Sequence, residues 1–73
     1  MYHLKKDQRA ERSAELLFNG LTKELKNKPL NKLNVCDVTR ASTVSRATFY
    51  RNFDQLVDLL QWKCDLLFQK AIQ

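Results

Sequence analysis

Two arginines, a tyrosine and an alanine fall at helical spacing between positions 46 and 51. Arg46 and Tyr50 stand four residues apart, as do Ala47 and Arg51, so in a helix they share one side. The set holds no nucleophile paired with a base, and the chemistry it offers is recognition. A guanidinium reaches O6 and N7 of guanine with two hydrogen bonds, and a methyl group meets the thymine methyl. Arg46 and Arg51 are suited to the first task and Ala47 to the second. The hydroxyls of Thr48 and Tyr50 suit phosphate oxygens, contacts that fix register without reading sequence.

The rest of the chain offers no catalytic alternative. It has no base–nucleophile set, no paired carboxylates in a pocket-forming arrangement and no phosphate-cradling glycine loop, so an enzyme is not expected. Cys36 and Cys64 lack ligand spacing and His3 is the only histidine, so no metal or cofactor is expected either. The two thiols read as reduced small hydrophobes of a cytoplasmic protein. No apolar run approaches the roughly eighteen residues of a membrane span, and the N-terminus lacks a signal-peptide core, so no membrane partner is expected.

The elements that must position the stripe follow from length and pattern. The chain has 73 residues, 44% of them apolar and 29% charged, which describes one small globular domain. A single Gly and a single Pro leave little turn chemistry for a β fold, so the expected class is all-α. Charge is unevenly placed. Residues 1–51 hold eleven Lys/Arg against five Asp/Glu, a surplus of six, whereas residues 52–73 hold two against three. The first two-thirds therefore suits a polyanion.

Residues 1–8, with Lys5 and Lys6, read as a basic arm. From about 9 to 26, Leu17, Leu21 and Leu25 recur every fourth position, continued backwards by Ala10 and Ala14 and widened by Leu16 and Phe18. Gly20 within this helix should cost about 1 kcal/mol relative to Ala, which is tolerated best where another backbone comes close. Basic residues and Pro29 stop it. Asn34 caps a second helix from 35 to about 42, with Asp37 at the capping-box position and Val35, Val38 and Ala41 inward. Residues 42–44 form a tight turn, and Ser45 caps a third helix from 46 to about 53 with Phe49 and Phe53 on the core. Asp54 is placed to cap a fourth helix running towards position 71. Its apolar residues, from Leu56 through Trp62 to Ile72, do not fit one narrow face, so two packing partners are expected.

Two short helices joined by a three-residue turn, the second with a basic and aromatic stripe, make the helix-turn-helix plan. The expected architecture is a three-helix, homeodomain-like domain over residues 1–53, with the helix-turn-helix at about 35–53. A fourth, linking helix over 54–73 would begin a regulatory region.

At these residues the sequence resembles the TetR family of bacterial transcription regulators. Leu33-Asn-Val-Cys-Asp-Val-Thr39 followed by Val44-Ser-Arg-Ala-Thr-Phe-Tyr-Arg-Asn-Phe53 looks like the family's Ile-Thr-Val-x-Asp-Ile-Ala and Val-Ser-x-x-Thr-Phe-Tyr-x-His-Phe pattern. The resemblance covers about residues 13–60. It implies a sequence-specific regulator bound to double-stranded DNA, with Arg46, Ala47 and Arg51 reading bases. Ser13, Asn34, Ser45, Thr48, Tyr50 and Asn52 would hold the backbone. It also implies a homodimer formed through a C-terminal region absent or truncated here, with a small-molecule effector bound in that region.

Four positions depart from the pattern. Thr43 stands where the family commonly has Gly, and because a β-branched residue is poor at positive φ, a tighter or remodelled turn is expected. Thr39 replaces Ala at the contact between the two short helices, Asn52 replaces His, and Leu56 replaces a Lys that meets phosphate. The alternative these leave open is a helical protein-docking module with weak or lost DNA binding.

Overall fold

The computed structural model describes residues 8–72, which form an all-α fold of four helices with no strand among the described residues. They are α1 (Gln8–Leu25), α2 (Val35–Ser42), α3 (Arg46–Asn52) and α4 (Leu56–Ile72), with a short 3-10 turn at Leu30–Lys32 between α1 and α2. The basic arm anticipated at 1–8 lies outside the described residues except for Gln8, which opens α1.

Each boundary has a local cause. At the end of α1 the backbone N–H groups of Asn27 and Lys28 both donate to the Glu24 carbonyl, and Pro29 then blocks continuation. Leu30, which opens the 3-10 turn, and Leu33, which follows it, pack against the core. Asn34 opens α2 through a reciprocal capping box. Its Oδ1 accepts from the Asp37 N–H at 2.9 Å, and its own N–H donates to Asp37 Oδ2 at 3.1 Å. Ser45 caps α3, its Oγ accepting from the Thr48 N–H at 3.1 Å.

The start of α4 differs from expectation. Asp54 is exposed, and it is the carboxylate of Asp58 that serves the helix end. Asp58 Oδ2 accepts from the backbone N–H of Asp54 at 3.1 Å and of Gln55 at 2.8 Å. Gln55 immediately precedes the helix, so Asp58 occupies the third helical position, from which an acidic side chain reaches back over the first turn. Asp58 is buried, and burial pushes its carboxyl pKa up. The hydrogen bonds it accepts, those from Gln55 and Asp54 among them, outweigh that and hold the pKa below its ordinary value.

The core is built from Ala14, Leu17 and Leu21 of α1, Val38 of α2, Phe49 of α3 with Phe53 just beyond it, and Leu59 and Trp62 of α4. Leu16 lies off this face, 44% exposed, because it is one residue round from the Ala14–Leu17–Leu21 stripe. The most extensive helix pairing is α1 on α2. Gly20 makes it close: a Cβ added there would stand 2.9 Å from both Ser42 Cβ and the Val38 carbonyl oxygen. The neighbouring polar side chains on α2 can be buried because they turn back onto their own helix. Thr39 Oγ1 donates to the Cys36 carbonyl and Ser42 Oγ to the Thr39 carbonyl.

An aromatic series then carries the core from α3 to α4. Phe49 and Phe53 have ring centroids 5.6 Å apart, and Phe53 meets Trp62 edge-on at 6.4 Å. Lys63 ties α4 to α1 from outside. Its ammonium contacts Glu15 at 3.0 Å and stands over the rings of Phe18 and Trp62. The two-sided apolar character of α4 is visible as well. Leu59 and Trp62 are buried, while Val57, Leu67 and Phe68 stand out from the surface, Phe68 at 67% exposure.

Two outcomes follow from this packing. Gly20→Ala should lower stability by about 1–2 kcal/mol, because overpacking against backbone outweighs the better helix propensity of Ala. In thermal unfolding that is a fall of about 4–8 °C per kcal/mol, and a rise in Tm would contradict the close approach. For Asp58, a folded-state pKa below the unfolded one means its contribution is present above about pH 4 and is lost as pH falls through the folded value. Asp58→Asn should therefore destabilise the protein at neutral pH and make its acid unfolding shallower. Parallel acid profiles for the two proteins would rule this out.

Candidate nucleic-acid interface

The seven residues of α3 divide cleanly. Phe49 and Asn52 are buried, Thr48 is half-buried, and Arg46, Ala47, Tyr50 and Arg51 all stand exposed on the opposite side. The aromatic core anchors the buried side, so the exposed side has a fixed aspect. Tyr50, 53% exposed, is steadied by an edge-on contact with Phe49, with centroids 5.1 Å apart and planes at 87°. One helix face therefore presents two guanidiniums, a phenol and a methyl.

The anticipated backbone-contacting residues fall in three different situations. Ser45 and Thr48 come together at the start of α3, their hydroxyl oxygens 2.9 Å apart. Asn34 is exposed at the start of α2, but its carbonyl oxygen is engaged by Asp37, leaving the amide hydrogens as donors. The Asp37 carboxylate beside it opposes a phosphate at that spot. Ser13 is half-buried on α1, apart from the α2–α3 pair in the chain. Asn52 is turned inward. It is only 5% exposed, and its Nδ2 donates to the Thr48 carbonyl at 3.2 Å. Its position one turn after Thr48 on the packed side of α3 accounts for that.

Cys36, not among the anticipated recognition residues, proves to lie at this face. Arg46 Nη1 donates to its Sγ at 3.4 Å, joining the first turn of α3 to the first turn of α2. The two residues are ten apart in sequence and on different helices, so no periodicity signals the contact.

The turn between the helices sets the aspect of α3 relative to α2. Thr43 adopts the left-handed conformation, φ 61° and ψ 17°, and is the non-glycine residue with positive φ among the described residues. Where a tighter or remodelled turn is expected of a threonine, the backbone instead keeps positive φ. Local hydrogen bonds hold it: Thr43 Oγ1 donates to the Ser42 carbonyl, and Ser42 Oγ accepts from the Val44 N–H at 3.3 Å. A β-branched residue held in this region carries strain of about 1–3 kcal/mol.

Elsewhere, a surface hollow of about 360 Å³ between α1 and α4 is lined by Trp62 and Leu66 together with charges of both signs, Glu11, Glu15, Arg12 and Lys70. Among the described residues no three His, Cys, Asp or Glu side chains gather as metal ligands, and no helix is long and apolar enough to cross a membrane. No family model, curated protein or solved structure matched the chain. The likeness to TetR regulators accordingly rests on the residues quoted above.

Replacing Thr43 by Gly should relieve the turn. Less the extra backbone entropy of a glycine, the expected gain is about 1 kcal/mol. Denaturant unfolding at constant m-value would measure it, and a loss of stability would show that the threonine hydroxyl outweighs the strain.

Proposed function

We propose that this chain is a sequence-specific DNA-binding domain of a TetR-like transcription regulator, with α2, the turn and α3 acting as a helix-turn-helix. The observation that carries the reading is the division of α3. A helix of seven residues, capped by Ser45, exposes Arg46, Ala47, Tyr50 and Arg51 on one side and roots the other in the aromatic core. The B-DNA major groove admits one such helix.

In this reading Arg46 and Arg51 hydrogen-bond guanine edges and Ala47 meets a thymine methyl. Tyr50, Thr48 and Ser45 offer hydroxyls to phosphates, joined by the Asn34 amide. Asn52 keeps its structural bond to Thr48 and joins the phosphate set only if its amide turns outward. The partner is double-stranded DNA, and the protein is a binding module of the cytoplasm, not an enzyme. Two copies would read two half-sites about 34–36 Å apart, or a multiple of that. The dimer contact and any effector site belong to a regulatory region beyond the reading head.

A second reading draws on α4. Its exposed Val57, Leu67 and Phe68 suit an apolar partner, which would make the chain a protein-docking module.

Salt separates the two. Binding to the DNA upstream of its own gene should exceed binding to scrambled DNA, and log K should fall linearly with log salt at about 0.9 per phosphate neutralised. Arg46→Ala should cost about 1–3 kcal/mol and relax preference at one base pair, whereas Tyr50→Phe should weaken all sequences alike. Absence of binding to either DNA at low salt would sink the DNA reading and favour the docking one.

A further inference from the structure

We infer that Cys36 is a positioning residue for Arg46, and that the base preference read by Arg46 depends on the side chain at position 36. The inference rests on the DNA-reading role proposed above and adds to it a residue outside the recognition helix.

Arg46 is the first residue of α3, where a cation gains nothing from the helix dipole. Its long side chain would otherwise sample many rotamers, and ordering such a chain on binding is a recurrent cost of recognition. The Cys36 sulfur removes part of that freedom beforehand. Cys36 is the second residue of α2, half-buried, on a helix whose start is fixed by the Asn34–Asp37 capping box. From that helix start its Sγ presents an acceptor 3.4 Å from Arg46 Nη1.

The contact also leaves the guanidinium competent. A guanidinium has five N–H donors in a planar fork, and sulfur, a weak acceptor, engages only one of them. The remaining donors can still form the bidentate pair with O6 and N7 of guanine. A weak sulfur contact suits this task, because a carboxylate at the same place would hold the guanidinium against the DNA. Arg51, five residues on, shares the outward face but lies beyond the first turn of α3, so the effect is confined to Arg46.

The test uses the whole chain with Cys36→Ala, Cys36→Ser, and Arg46→Ala as reference. Side-chain NMR relaxation of the arginine Nε–Hε groups is measured without DNA, and base preference is measured by selection from a randomised double-stranded pool. In Cys36→Ala the order of Arg46 should fall while that of Arg51 holds. Discrimination should drop roughly two- to ten-fold at the one base pair that Arg46→Ala relaxes. Cys36→Ser keeps an acceptor and should recover much of both.

Unchanged order of Arg46 in Cys36→Ala would overturn the inference, as would an equal loss at every base pair. If the parent chain selects no sequence, the DNA reading fails and the preference claim with it. The relaxation data still decide whether Cys36 orders Arg46.

Discussion

The arrangement depends first on the contact between α1 and α2 at Gly20. With no Cβ at that position, the α1 backbone comes against Ser42 and the Val38 carbonyl. Two backbones this close leave a narrow choice of crossing geometry, since interiors packed at crystal-like density do not deform smoothly. The local hydroxyl bonds of Thr39 and Ser42 let polar side chains share the contact without stranding a buried donor. Once α2 is placed, the three-residue turn and the Phe49–Phe53–Trp62 series leave α3 little freedom. The surface stripe inherits its direction from a contact on the far side of α2.

Within that frame, conformational strain sits at the turn. Thr43 holds a backbone conformation better suited to glycine, between α2, packed on α1 at Gly20, and α3, which is rooted in the core through Phe49 and carries the exposed stripe. Strained positions persist where the surroundings over-determine them. Here the buried Ser42 on one side and the half-buried Val44 on the other supply that determination. The candidate interface is also electrically mixed. Arg46 and Arg51 carry charge that would favour a polyanion, while the Asp37 carboxylate at the start of α2 would oppose one.

Much of the fold was legible because its boundaries are written in local chemistry. Asn34 with Asp37, Ser45, and Pro29 each act within a few residues, and they place the helices to within about two residues of the expected bounds. Gly20 was legible for a similar reason, since a lone glycine in an apolar helix implies a close neighbour. The failures share a different cause. Asp54 and Asp58 are both credible caps, and which one acts depends on where Gln55 turns into the helix. Asn52 looked outward by analogy with a histidine, yet an amide is short enough to bond its own helix at Thr48. The Cys36–Arg46 contact arises from the angle between two helices, which no spacing along the chain encodes. The α3 stripe itself was readable, because its spacing and the aromatic anchors on its other side are both periodic.

If α3 reads DNA as proposed, its brevity limits how much sequence one head can read. Seven residues rise only about 10 Å, which spans about three base-pair steps of B-DNA. A fully specified run of three base pairs recurs by chance at about one position in 60, so one reading head cannot address a unique place among the million or more sites of a genome. A pair of heads at fixed separation squares that rarity, to roughly one in 4,000, and still falls short. On the proposed reading, addressing a single gene would have to draw on something besides direct contacts: the stiffness of the DNA between the half-sites, or contacts from outside the recognition helix.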